Sequence, residues 1–200
     1  IHIIDLQQTV EQCKKACNFV TNIVGQGGSI LFVGTKKNAQ EIIIEQAKRA
    51  NQYFIASRWL GGLLTNYKTI RLNIDRLKEI ESLETEGYFE VLPKKEVSRL
   101  KKELNKLQDT IGGIKDMKKM PSCIFILDID HEKIAVLEAK KLGIPLVAVV
   151  DTNCDPDFID YIIAGNDDAL KSIKLFTTMI ADACLKGSEL FEERVRAQVV

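Results

Sequence analysis

The chain has 200 residues, 46% of them hydrophobic and 28% charged, an ordinary globular composition that excludes a disordered or low-complexity chain. Lys+Arg and Asp+Glu both number 28, so net charge alone gives no reason to expect a nucleic-acid partner. The longest apolar runs, such as Cys123 to Leu127 and Ile144 to Val150, fall well short of the ~18 residues a membrane span needs, and no secretory leader opens the chain.

Taken in chain order, Ser29 to Val33 (SILFV) predicts a first strand ending at Gly34, followed by a helix-period stretch from Lys37 to Ala50. Tyr53 to Ala56 is a second, weaker strand. Residues 65 to 111 then change the rhythm. Tyr67, Ile70, Ile74, Leu77 and Ile80 form one narrow apolar stripe, and after Gly87 and Pro93 a second follows at Val97, Leu100, Leu104, Leu107 and Ile111. The second stripe is a heptad seam, so the pair is expected to be an antiparallel helical hairpin inserted into the domain. Cys123 to Leu127 (CIFIL) is a third strand, and a helix from His131 to Leu142 stops at Gly143-Ile144-Pro145. Leu146 to Val150 (LVAVV) and Tyr161 to Ile163 are the fourth and fifth strands, before a helix from Asp168 to Leu185. Alternating strands and helices predict an α/β fold with a mostly parallel sheet, helices covering both faces. The expected division is an α/β domain over 1–62 and 112–200 with a hairpin insertion over 63–111.

Charge is uneven along this neutral chain. Between Lys48 and Lys78 seven basic residues face one acid, and between Lys94 and Lys119 nine face four. Asp128 to Asp168 holds ten acids and three lysines. Neutrality therefore conceals a basic hairpin and an acidic edge.

Several constellations invite chemistry. Asp128 and Asp130 stand at the carboxyl end of a buried strand, where α/β enzymes place catalytic groups. Asp-x-Asp there resembles the first motif of haloacid-dehalogenase-type phosphatases, and Asn166-Asp167-Asp168 resembles their late magnesium-binding acids. Glu132 stands where that motif needs Thr or Val, and the spacing between the acidic groups is too short. The competing expectation is that these acids cap the following helix. Asp151, Asn153, Asp155 and Asp157 alternate like calcium-loop ligands, but Pro156 and Ile162 occupy the positions that need Gly and Glu. Phe32 to Ala39 (FVGTKKNA) puts Thr35, Lys36 and Lys37 at a strand-to-helix junction suited to an anion, without Walker or dinucleotide spacing. In Arg58 to Gly62 (RWLGG), Trp59 either stacks on a base or fills the core. The five cysteines are odd in number and scattered, reading as reduced thiols and not a disulfide framework or zinc site. No nucleophile has a base partner. The chain is read as a non-enzyme with no cofactor or metal, the alternative being a magnesium-dependent phosphoryl-transfer enzyme using Asp128 and Asp130.

Taken together, IHIIDLQQTV, ILFVGTKKNA, RWLGGLLTNYKTI, the long stretch from Gly112 to Leu170 and the closing SIKLFTTMIADA resemble the second small-subunit ribosomal protein family of bacterial and organellar type. The resemblance implies a three-layer, flavodoxin-like sandwich with a protruding hairpin. It further implies a structural role in the small ribosomal subunit, beside rRNA and the large messenger-binding ribosomal protein, in the cytoplasm or an organelle. Arg58, Trp59, Gly61 and Gly62 match the family's RWLGG stretch and Lys36 its GTK turn; a proline usual before Gly165 is replaced by Ala164. From charge, the expected RNA contacts are Lys36, Lys37, Arg58, Trp59, Lys68, Arg71, Lys115, Lys118 and Lys119, while the acidic stretch from Asp151 to Asp168 is expected to face solvent or a basic protein neighbour.

Overall fold

The structure, a computed structural model, describes residues 2–198; Ile1, Val199 and Val200, the extreme ends of the expected α/β domain, lie outside the described residues. Six helices, α1 (Leu6–Val24), α2 (Gln40–Arg49), α3 (Tyr67–Thr85), α4 (Lys94–Ile111), α5 (Lys133–Leu142) and α6 (Leu170–Gln198), accompany five strands. The strands are β1 (Ile30–Val33), β2 (Tyr53–Ile55), β3 (Cys123–Leu127), β4 (Leu146–Val150) and β5 (Tyr161–Ala164), in the order β2-β1-β3-β4-β5 and parallel throughout. This is the flavodoxin-like order.

The continuous apolarity of β1, β3 and β4 has a direct cause: both sheet faces are covered. Ile30, Phe32, Cys123, Phe125, Val147 and Val149 pack into one core with α1, α2 and α6. The intervening Leu31, Val33, Ile124, Ile126, Leu146 and Ala148 pack into the other with α5 and the segment from Trp59 to Leu64. Three layers result. On the first side Phe32 and Phe125, paired across β1 and β3, meet edge to face with centroids 5.5 Å apart.

Both sheet edges are closed. Gly113, in a 3-10 turn after α4, lies so close to β2 that a Cβ there would sit 2.1 Å from the Phe54 carbonyl oxygen. Only glycine allows that turn to cover the edge. At β5 the Thr9 hydroxyl donates to the Ala164 carbonyl (2.7 Å), and the Ala164 N–H donates to Gln12 Oε1 (2.8 Å), so α1 side chains three residues apart occupy the ladder positions.

The helices α3 and α4, which lie between β2 and β3 in the chain, pack along Ile70, Ile74, Leu77 and Ile80 on one helix and Leu100, Leu104 and Ile111 on the other, all buried. Val97 and Leu107, expected in the same seam, are only half-buried at its margin. The Arg76 guanidinium links the pair through Glu103 of α4 (2.9 Å), while Glu79 on its own helix holds it in place (2.9 Å). This seam is continuous with the core beneath the sheet.

The last helix differs most from expectation, running to Gln198 instead of ending at Leu185. Gly187, inside this helix, is the close-approach point between α6 and α1. A Cβ there would lie 2.7 Å from the Thr21 carbonyl oxygen and 2.7 Å from Val24 Cβ. Packing outweighs the roughly 1 kcal/mol that glycine costs inside a helix.

Candidate nucleic-acid interface

The crevice at the carboxyl ends of the strands is where this fold class binds ligands. Here the chain's own groups occupy it. Lys36 follows β1, Asp128 follows β3, and Asp167 and Asp168 follow β5. The Lys36 ammonium pairs closely with Asp128 Oδ2, lies 2.7 Å from Asp168 Oδ1 and 3.4 Å from Asp167 Oδ1. Burial works against that charge, yet the carboxylates outweigh it and hold the amine well above the ordinary lysine value. Thr35 donates its N–H (2.6 Å) and hydroxyl (2.7 Å) to Glu132 Oε1, and the Asn38 amide reaches the Asp168 carbonyl (2.6 Å). The GTKKN turn is therefore tied to β3 and β5 from within. Lys36, expected to hold a phosphate, neutralises aspartates.

Asp128 has the left-handed φ of 62°. Its Oδ1 accepts the N–H groups of Asp130 (3.1 Å) and His131 (3.0 Å), and its Oδ2 is held by Lys36. The acid at the strand end is a turn cap that leads into α5. Burial pushes its carboxyl up, but Lys36 and the two backbone donors prevail and hold it below the usual carboxylate value. Asp128, Asp167 and Cys154 each bring one potential ligand atom within 4.8 Å of the others. Lys36 already stands among those carboxylates, and burial beside Asp130, Asp128 and Asp167 pushes the Cys154 thiol up to about 11, so it stays protonated.

The RWLGG loop is organised by a residue that the sequence patterns do not single out. Glu138 of α5 points inward, 7% exposed. Its Oε1 accepts from the Trp59 indole N–H (3.1 Å) and the Gly62 N–H (2.7 Å). Its Oε2 accepts from the N–H groups of Leu64 (2.9 Å) and Thr65 (3.0 Å) and from the Thr65 hydroxyl (3.1 Å). Burial raises this carboxyl, but the donors outweigh it and hold it below the ordinary value. An acid three residues after Ala135 and one before Ala139, both fully buried, breaks the apolar face of α5; that was the signal available in sequence. Trp59 is 7% exposed and packed in the core. Its ring offers no face to a base, which corrects the stacking expectation.

Arg58, at the start of the same loop, is exposed. Beyond it, the Tyr67 hydroxyl donates to the Met117 carbonyl (2.6 Å), tying the segment that carries Lys118 and Lys119 to the first turns of α3, which carry Lys68 and Arg71. Lys37, Arg58, Lys68, Arg71, Lys118 and Lys119 are all exposed, and none forms an ion pair with the described residues. Lys115 is different: it pairs with Glu81 (3.2 Å), near the carboxyl end of α3. Of the nine expected contacts, six are uncompensated surface cations, two are internal ion-pair partners and one is core.

A family model described as Ribosomal protein S2 matches residues 1–187. The chain belongs to the ribosomal protein S2 family. S2 proteins are structural components of the small ribosomal subunit and not a family of enzymes, and their place is the ribosome. Membership accounts for an α/β crevice whose polar groups are used up internally. It also agrees with the described helices, none of which is long and apolar enough to cross a membrane.

Proposed function

We propose that this chain binds rRNA of the small subunit through local patches of uncompensated cations, in the manner of a structural protein and without catalysis. The observation that carries the reading is the tie between Tyr67 and Met117, which gathers exposed Lys68, Arg71, Lys118 and Lys119 at the root of the hairpin. On a neutral chain, affinity must come from such a patch and not from a global field. Exposed Arg58 and Lys37, which follow β2 and β1 at the carboxyl ends of the strands, form a separate pair of candidate contacts. The helices over 63–111 then act as an inserted arm on the α/β body. The exposed acids Asp155 and Asp157 belong away from phosphates, toward a basic protein neighbour; family resemblance makes the large messenger-binding ribosomal protein the expected one.

The test is association with small subunits depleted of this chain, measured across a salt series. Arg58→Gln with Lys118→Gln is expected to weaken association and to flatten the salt dependence by roughly 0.7–0.9 for each phosphate that is no longer neutralised. Neutralising Asp155 and Asp157 should leave rRNA affinity unchanged or slightly raised. If the aspartate changes weaken rRNA binding more than the cation changes do, the RNA face lies on the other side of the molecule. Sedimentation of the cellular protein with small subunits is the first observation to make.

A further inference from the structure

We propose that the outward face of α4 is a second RNA-backbone site, a stripe of Lys95, Arg99, Lys102 and Lys106 that tracks a run of phosphates. The inference rests on the rRNA-binding reading above and adds a surface that none of its residues occupies.

The stripe follows from helix geometry. At 3.6 residues per turn, these four positions fall within an arc of about 60° and span about 16 Å along the axis. That arc lies opposite Leu100, Leu104 and Ile111, which are buried against α3. The seam that fixes the hairpin therefore also fixes which way the cations point. All four are exposed.

Their charges are poorly compensated. Lys95, Lys102 and Lys106 form no ion pair with the described residues, and Arg99 has only Glu96, at 3.8 Å. Glu103 is held by Arg76 at 2.9 Å, and exposed Asp109, at the carboxyl end of the stripe three residues after Lys106, forms no ion pair with the described residues. Lys95 and Arg99, and Lys102 and Lys106, are like-charge pairs four residues apart, an arrangement that destabilises a helix. An anionic partner reverses that cost. A shallow open hollow lined by Pro93, Lys95, Glu96, Ser98, Arg99 and Lys102, three cations to one acid, lies along the first half of the stripe.

The chemistry selects among anions. A membrane-bound helix turns its apolar side toward the lipid, whereas the apolar side of α4 is spent on α3. Cations separated by one helical turn, in a straight row and without aromatic anchors between them, suit the regularly spaced phosphates of an RNA helix. This mode reads no sequence.

The experiment compares three variants by their association with small subunits depleted of this chain and with protein-free small-subunit rRNA, over a potassium chloride series. The stripe variant carries Lys95→Gln, Arg99→Gln, Lys102→Gln and Lys106→Gln. The exchanged variant carries Lys95→Arg, Arg99→Lys, Lys102→Arg and Lys106→Arg. The third carries Arg58→Gln and Lys118→Gln. Far-ultraviolet circular dichroism checks that each keeps its helices, as exposed substitutions should. The stripe variant is expected to lose about tenfold or more in affinity for both targets and to show a salt slope shallower by roughly 3, while the exchanged variant binds like the parent chain.

An unchanged slope in the stripe variant, with Arg58→Gln and Lys118→Gln still weakening association, overturns this inference and leaves the function reading standing. Failure of the parent chain to bind either target overturns both. A loss seen with subunits but not with protein-free rRNA assigns the stripe to an acidic protein neighbour, and overturns it as an RNA site.

Discussion

Glu138 and Asp167 are both carboxylates taken out of water, 7% and 4% exposed, yet they titrate in opposite directions. Glu138 meets five donors, three of them backbone N–H groups of one loop. These outweigh its burial and hold it below the ordinary value. Asp167 is raised, by burial first and then by the neighbouring Asp128 charge. Its Oδ2 is buried with no hydrogen-bond partner among the described residues, and its Oδ1 has only a 3.4 Å share of a lysine already held by two other aspartates. A buried charge is stabilised by donors aimed at it more than by a shared counter-ion. The consequence is functional. The well-served carboxylate sets the shape of the loop that presents Arg58, whereas the poorly served one closes a crevice.

The strongest way to break this contrast is Glu138→Ala. It leaves the Trp59 indole and three backbone N–H groups without an acceptor, and should cost about 3–5 kcal/mol in urea unfolding. It should also weaken subunit association more than Arg58→Gln alone, because the whole loop loosens. A cost below about 1 kcal/mol would mean that water replaces Glu138 freely.

Next in size, Lys36→Met removes the only cation that pairs with Asp128, Asp167 and Asp168 among the described residues. Because the lysine side chain is 24% exposed, the loss should be about 2–3 kcal/mol, short of that for a fully buried pair. It should leave the salt slope of rRNA association unchanged, since this ammonium is an internal counter-ion. A shallower slope would return Lys36 to the RNA face.

The pH dependence sharpens the comparison. Glu138 has a depressed folded value, so its contribution is present above its ordinary 4.5 and is lost as pH falls through the folded value. Asp167 is raised, so its contribution is present below its ordinary 3.8 and is lost as pH rises through the folded value. A carboxyl-carbon NMR titration should place Glu138 below 4.5 and Asp167 above 3.8. Both shifting the same way would remove the contrast. The smallest effect is expected for Asp167→Asn, which removes one negative charge from a crowded site. Stability at pH 7 should stay level or rise by up to about 1 kcal/mol, as thermal unfolding would show.

Much of the architecture was legible because it is local. Runs such as CIFIL and LVAVV are short, β-rich and bounded by turn residues, which reads as strands covered on both faces, and the 3-4 spacing of Ile70, Ile74 and Leu77 reads as a helix with one dry side. Family membership was legible in long peculiar stretches such as RWLGGLLTNYKTI. The full length of α6 was not legible, because the close approach of Gly187 to Thr21 and Val24 joins residues far apart in the chain. The stripe on α4 was readable as charge, but not as a face.

What tertiary structure alone decided was which charged and aromatic groups are already engaged. Lys36 meets acids 92, 131 and 132 positions away, and Glu138 gathers donors 73 to 79 positions away. No period in the sequence encodes such separations, since they depend on the sheet order that places β1 beside β3 and on the turns that follow each strand. Sequence determined the strands, the seam and the distribution of charge along the chain. Folding decided which charges cancel inside and which are left for a partner, because the sign of a side chain is covalent while its counter-ion is a matter of distance.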